Sequence, residues 1–193
     1  MTTRPLADPL AWNVAALLGE LPGSSRDYLV AGVTIDLGDD LRLADPIEGR
    51  VHLARTNRGL YVDADLETSL ATTCSRCLQD IEVPIQVRIR EEALPALDLG
   101  TGRPLNVASE PDALRLTEHH ELDIEQAVRE AIQLAEPIAP LCTPDCPGLC
   151  VTCGERLAGG PHDHGEDEID PRLEALRAFR VDSDAQDGSS RPD

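Results

Sequence analysis

Six cysteines dominate the chemistry that this sequence can support. Four of them crowd into residues 141–154, LCTPDCPGLCVTCG, and the other two form a separate Cys-x-x-Cys pair. In chain order they are Cys74, Cys77, Cys142, Cys146, Cys150 and Cys153. Thiols at this density either form disulfides or bind a soft metal ion.

The start of the chain favours metal over disulfides. No N-terminal stretch combines a basic start, an apolar run and a small-residue cleavage site, so we expect a cytoplasmic protein. Disulfides are rare in that compartment. Zinc prefers four-coordinate thiolate and imidazole sites, and the sequence therefore predicts one or two structural zinc ions. No apolar run is long enough to span a membrane.

Two arrangements of ligands are open. In the first, Cys74 and Cys77 join Cys142 and Cys146, while the second Cys-x-x-Cys pair takes His162 and His164. In the second, the two Cys-x-x-Cys pairs share one ion. We favour the first because it leaves no thiol unexplained. The full predicted ligand set is Cys74, Cys77, Cys142, Cys146, Cys150, Cys153, His162 and His164.

The histidines are less specific than the cysteines. His162 and His164 fit an ordinary solvated loop as well as a metal site. For His52, His119 and His120 we expect structural roles, because no second ligand type lies near them in sequence. There is no HExxH motif and no glycine-rich phosphate loop, and complete thiolate sites are poor Lewis acids. We therefore predict no catalytic residues and no enzymatic activity.

Alternating apolar and polar residues predict an antiparallel sheet. The clearest runs are 47–53, 60–70 and 81–89, with a turn at 56–59 and the first Cys-x-x-Cys at the tip of the second hairpin. Pro84 lies on the polar side of its strand, which suggests an edge or a bulge. An earlier strand is predicted from Tyr28, with an inward side made of Leu29, Ala31, Val33, Ile35 and Leu37.

Helical spacing returns near residue 123. Asp123 is a candidate cap with Gln126 three residues later, and Pro137 ends the predicted helix at about 123–135. The predicted class is α+β, with an antiparallel sheet or partly open barrel, a packed helix and a C-terminal Cys-rich module. We expect a β platform over 1–136, a metal-binding module over 137–181 with a short helix at about 171–180, and a disordered tail over 182–193.

The composition is strongly acidic. The formal charge is −19, from 36 acids against 17 bases. Since non-specific affinity for nucleic acid rests on neutralising cations, such a surface repels phosphate backbones and favours a basic protein partner or solubility alone. Arg76, Arg88 and Arg90 offer a local RNA contact, although we expect them to be ion-paired on the wet face.

Three stretches resemble the YceD family of large ribosomal RNA subunit accumulation proteins. They are PGSSR at 22–26, CSRCL at 74–78, and residues 122–154, which end in CTPDCPGLCVTCG. Many relatives have a CxC pair where His162-Asp163-His164 stands here, a change that keeps metal-ligand character.

The resemblance implies a function in the synthesis, processing or stability of large-subunit (23S) ribosomal RNA, and hence in large-subunit assembly. It supplies no catalytic residues. We expect a non-enzymatic factor that binds a basic ribosomal protein or a pre-ribosomal (pre-50S) particle, with a possible rRNA contact. The alternatives are a zinc-knuckle module that binds RNA directly and a zinc-dependent hydrolase.

Overall fold

The fold comes from a computed structural model of the chain. It describes residues 9–38, 41–97, 103–104, 113–160, 163–164 and 172–173. The chain divides into two units, Met1–Gly148 and Leu149–Asp193. This division differs from the predicted boundary after residue 136, and it places Cys142 and Cys146 in the first unit. The predicted tail, and the predicted helix at 171–180 apart from residues 172–173, lie outside the described residues.

The first unit is built on a six-stranded sheet. Its strands are β2 (Ser25–Val33), β3 (Arg42–Leu43), β4 (Ile47–Arg55), β5 (Leu60–Thr73), β6 (Asp80–Leu94) and β7 (Leu114–Arg115). The order is β2-β4-β5-β6-β7, with β3 paired beside β5; every pair is antiparallel except β6–β7. The predicted α+β class with an antiparallel sheet is confirmed.

One face of this sheet is apolar and buried, as the alternation predicts. Inward residues of β4 and β5, such as Val51, Leu53, Val62 and Ala64, are fully buried. Their neighbours Arg50 and Asp65 point to the wet face. A period of two places one side of each strand against the core, and this pattern fixes the register of the long β5–β6 hairpin.

The buried face is covered by two short strands and two helices. Strands β1 (Ala11–Asn13) and β8 (Glu121–Asp123) pair with each other, and helices α1 (Ala15–Leu18) and α2 (Glu125–Ala135) complete the set. Helix α2 packs on β6 and buries Val128 and Ile132. It leads directly into the cysteine-rich stretch.

The start of α2 departs from the predicted cap. Its N-cap is Ile124 and not Asp123, although the Asp123 carboxylate accepts a hydrogen bond from the Glu125 N–H at 2.8 Å. The Gln126 amide donates to Glu130 instead of reaching back, so there is no capping box. The helix ends at Ala135, before Pro137, as predicted.

The predicted inward side of β2 was wrong over its first half. Leu29 is 79% exposed, while Val30 and Val33 are buried. The pairing of β2 with β4 shifts register between Val30 and Val33, and Gly32 there has a φ of 69°. An inserted residue of this kind reverses the alternation, which a simple period of two does not foresee.

Candidate metal centre

The first Cys-x-x-Cys pair forms a tight knuckle between β5 and β6. The Leu78 N–H donates to the carbonyl oxygen of Cys74 at 2.9 Å, and the Cys74 N–H donates to that of Gln79 at 2.8 Å. These bonds turn the chain sharply and place both thiols on one side of the hairpin tip. Leu78 adopts a left-handed conformation with a φ of 55°.

Two hydrogen bonds attach the segment after α2 to this tip. The Ser75 N–H donates to the carbonyl oxygen of Pro140 at 2.8 Å. The Arg76 guanidinium donates to the carbonyl oxygen of Cys146 at 3.0 Å. The segment that carries Cys142 and Cys146 is therefore held against the knuckle by groups that are not themselves thiols.

The four thiols of the first unit lie together. The Sγ atoms of Cys74, Cys77, Cys142 and Cys146 are all within 4.8 Å of one another. Cys74 and Cys146 are 3.8 Å apart, and Cys77 and Cys142 are 3.7 Å apart. A disulfide needs about 2.05 Å, whereas four sulfurs around a zinc ion at about 2.3 Å lie about 3.8 Å from one another. The spacing fits a tetrahedral metal site.

Burial acts to raise the pKa of Cys74 and Cys146, whereas hydrogen bonds from backbone N–H groups act to lower it. The backbone N–H of Cys77, assisted by those of Cys142 and Arg76, lowers the pKa of Cys74 to about 6. Burial raises the pKa of Cys146 to about 12. Several thiolates in one buried pocket would repel one another, and a divalent cation bound among them would permit all four to ionise.

A second cluster occupies the second unit. Ligand atoms of Cys150, Cys153 and His164 lie within 4.8 Å of one another. Cys153 is exposed and Cys150 is half-buried, in contrast to the buried thiols of the first cluster. His162, the remaining predicted ligand, lies outside the described residues.

The two clusters group seven of the eight residues as the first predicted arrangement does, and His162 lies outside the described residues. Each cluster is formed inside one unit, and both clusters can hold a metal ion. Within the described part of the chain, the other histidines belong to neither cluster. His52 instead lies 2.9 Å from the carboxylate of Asp27. Ligation by the eight residues remains a prediction.

Arg88 and Arg90 on the wet face are ion-paired, as expected. The Arg88 Nε lies 3.4 Å from an Asp65 oxygen, and the Arg90 Nε lies 3.3 Å from an Asp63 oxygen. Arg76 differs from both, because its partner is the Cys146 carbonyl oxygen and not a carboxylate. The left-handed conformation of Leu78, which follows Cys77, was not predicted, and no pattern in the sequence indicates it.

Comparison with known proteins supplies the context for these clusters. Residues 62–180 match the family described as large ribosomal RNA subunit accumulation protein YceD. Uncharacterized proteins of Mycobacterium bovis and Mycobacterium tuberculosis are each 28% identical over 177 residues, covering 90% of this chain and 82% of theirs. No solved structure gives a significant match.

A plant protein is also similar. It is the chloroplastic large ribosomal RNA subunit accumulation protein YCED homolog 1 of Zea mays, 28% identical over 155 residues, covering 69% of this chain and 53% of that protein. Among the residues that the structure describes, no helix is both long and apolar enough to cross a membrane. The family match spans more than half of the chain, and the chain therefore belongs to the YceD family of large ribosomal RNA subunit accumulation proteins.

Proposed function

We propose that this protein is a non-enzymatic factor that supports the synthesis, processing or stability of 23S ribosomal RNA and the assembly of the large ribosomal subunit. The observation that carries the proposal is the family match over residues 62–180. The protein would act in the cytoplasm, where thiols stay reduced and available for metal.

The metal in this proposal is zinc with a structural function. Cys74, Cys77, Cys142 and Cys146 would hold one ion, and Cys150 and Cys153 with His162 and His164 would hold a second. An ion in the first site would crosslink the β5–β6 tip to the segment after α2. Structural zinc in small peptides contributes about 10–16 kcal/mol of apparent binding free energy, which is comparable to the stability of a whole domain.

The donor chemistry favours structure over catalysis. A catalytic zinc keeps one position open for water, whereas four thiolates fill a tetrahedral site. Cys74, Cys77 and Cys146 are buried, so little surface is left for a substrate to approach the proposed ion. This argument supports a non-enzymatic factor over a hydrolase.

Charge favours a protein partner over naked RNA. The chain carries a formal charge of −19, and Arg88 and Arg90 on the wet face are already paired with carboxylates. Binding to RNA gains free energy by releasing counterions from phosphates that cations neutralise, and paired arginines contribute little to that gain. A basic ribosomal protein, or a protein-coated region of a pre-ribosomal particle, is the proposed partner.

Complementation of depleted cells tests the function. We expect depletion to lower the ratio of 23S to 16S ribosomal RNA and to deplete large subunits in sucrose gradients, and we expect wild-type protein to restore both. Cys74→Ser should fail to restore them, whereas Arg88→Ala, which removes an exposed charge, should succeed. Normal rRNA ratios and gradients after depletion would rule the function out.

A pull-down separates the two kinds of partner. Tagged protein is recovered from cells at low and high salt, with and without RNase. The proposal predicts that ribosomal proteins remain bound after RNase treatment. Loss of every partner with RNase, together with a steep decline as salt rises, would favour the direct RNA-binding alternative instead.

A further inference from the structure

The two Cys-x-x-Cys knuckles have the same backbone design. In the first, the Leu78 N–H donates to the carbonyl oxygen of Cys74 at 2.9 Å, and the Cys74 N–H donates to the carbonyl oxygen of Gln79 at 2.8 Å. In the second, the Gly154 N–H donates to the carbonyl oxygen of Cys150 at 2.9 Å, and the Cys150 N–H donates to the backbone carbonyl oxygen of Glu155 at 2.7 Å. Leu78 and Gly154 therefore occupy equivalent positions.

That position requires a left-handed backbone. Gly154 has a φ of 76° and Leu78 has a φ of 55°. Glycine adopts such angles without steric cost, whereas a Cβ atom crowds the following carbonyl oxygen. The second knuckle shows that glycine suffices to close the turn. The leucine is thus the less favourable residue for the backbone at this point.

Packing does not account for the leucine either. Leu78 is 61% exposed, so most of its side chain contributes nothing to the core of the free protein. A residue that strains the backbone and stays in solvent is a candidate for a contact made with another molecule.

A second exposed aliphatic side chain lies in the segment that is hydrogen-bonded to this knuckle. Ile138 is fully exposed and stands two residues before Pro140, whose carbonyl oxygen accepts the Ser75 N–H. The hydrogen bond brings the segment of Ile138 to the knuckle of Leu78. We call Leu78 and Ile138 the tip pair.

Three exposed acids lie near the tip pair in the chain, against one arginine, Arg76. Asp80 follows Leu78 closely, Glu136 precedes Ile138, and Asp145 adjoins Cys146; all three are exposed. The nearby Arg76 guanidinium donates to a carbonyl oxygen of the cluster. A divalent ion held by the four thiolates would add a net charge of about −2. A partner that fits here is positively charged.

We propose that the tip pair is a docking surface for a protein segment that combines aliphatic side chains with arginine or lysine. The proposal rests on the proposed function, because the partner it describes is a protein of the large ribosomal subunit. Aliphatic contacts beside exposed acids suit a basic peptide, and they offer the bases of a nucleic acid no aromatic stacking surface.

Photocrosslinking tests which molecule docks. A benzoylphenylalanine is placed at position 78 of the full chain, or at position 29, where Leu29 is 79% exposed on β2. Each protein is mixed with total protein from large ribosomal subunits and, separately, with deproteinised RNA from the same subunits. We expect position 78 alone to crosslink, and only to an arginine- or lysine-rich protein segment. Equal crosslinking at position 29, crosslinking to RNA, or no crosslink would overturn the proposal.

The Leu78→Gly variant supplies a readout that a structural role would not give. We expect a higher Tm, unchanged metal content and binding to the crosslinked protein weakened by at least about tenfold. Leu29→Ala should leave that binding unchanged. A lower Tm for Leu78→Gly, or unchanged binding, would show that the side chain serves the fold. If the crosslinking and binding tests fail while Cys74→Ser is still defective in 23S rRNA, the docking proposal is wrong and the proposed function stands.

Discussion

Arg76 donates a 3.0 Å hydrogen bond to the carbonyl oxygen of Cys146, 70 residues further along the chain. The bond links the hairpin tip to the segment that supplies the other two thiols of the first cluster. Since it uses a backbone acceptor, it can form before any metal is bound. Such contacts orient ligands in advance and so raise the affinity of a site for its ion.

Substitution of Arg76 should therefore weaken metal binding. We expect Arg76→Ala to lower zinc affinity by about 10–100-fold, the usual cost of losing a group that positions ligands. The measurement is competition against a chromophoric chelator. Arg88→Ala, which also removes one exposed arginine, is the matched control and should change the affinity little. Equal effects of the two substitutions would show that only overall charge matters.

Gly49 occupies a place where β4 and β5 approach too closely for a side chain. A Cβ atom there would lie 2.3 Å from the Asp65 carbonyl oxygen and 2.8 Å from the Leu66 Cα, and φ is 151°. Gly49→Ala should lower the unfolding free energy by about 3 kcal/mol, as measured by urea denaturation. Gly159→Ala, where a Cβ meets nothing within 4 Å, should be nearly neutral. A stable Gly49→Ala protein would contradict the β4–β5 register.

Local patterns were sufficient to predict the centre of the sheet. The runs 47–53, 60–70 and 81–89 alternate as predicted, because one face of β4, β5 and β6 is buried and the other is wet. The inward side of β2 was predicted wrongly at its start, since a bulge beside Gly32 shifts the alternation and leaves Leu29 exposed. The β1–β8 pair was missed as well, because strands of three residues are too short for any period to register.

The members of the first cluster were predicted from residue type, and the meeting of their two segments was predicted from the expected topology. A Cys-x-x-Cys at a hairpin tip and thiols just after a helix implied that the two segments meet. The contacts that hold them, from Ser75 to Pro140 and from Arg76 to Cys146, have no signature in sequence. The left-handed Leu78 was missed because leucine rarely adopts that conformation and no pattern announces it.

The pH dependence of the metal-free protein follows from Cys74. Its pKa is lowered to about 6 from the ordinary 9.0, chiefly by the Cys77 N–H. Between pH 6 and pH 9.0 the Cys74 thiol is protonated in the unfolded chain and ionised in the folded chain. The stabilisation is therefore complete above pH 9.0, declines as the pH falls and is lost below about pH 6. The raised pKa of Cys146 has the opposite sign, because its stabilising effect is present below pH 9.0 and lost toward pH 12.

Denaturation of reduced, chelator-treated protein between pH 6 and pH 9 checks this sign. The difference in unfolding free energy between wild type and Cys74→Ser should grow as the pH rises. Comparison of the two proteins cancels the titration of carboxylates and histidines that both share. A difference that stays flat or shrinks with rising pH would contradict a depressed pKa for Cys74.

The most direct test of the central claim is the zinc content of protein purified under reducing conditions, measured together with X-ray absorption at the zinc edge. Wild type should show a sulfur-rich first shell at about 2.3 Å. Cys74→Ser should lose one ion per chain, and Cys153→Ser should retain the ion bound by sulfur alone. Reduced wild-type protein without metal, or a Cys74→Ser variant with unchanged zinc and an unchanged spectrum, would contradict the account.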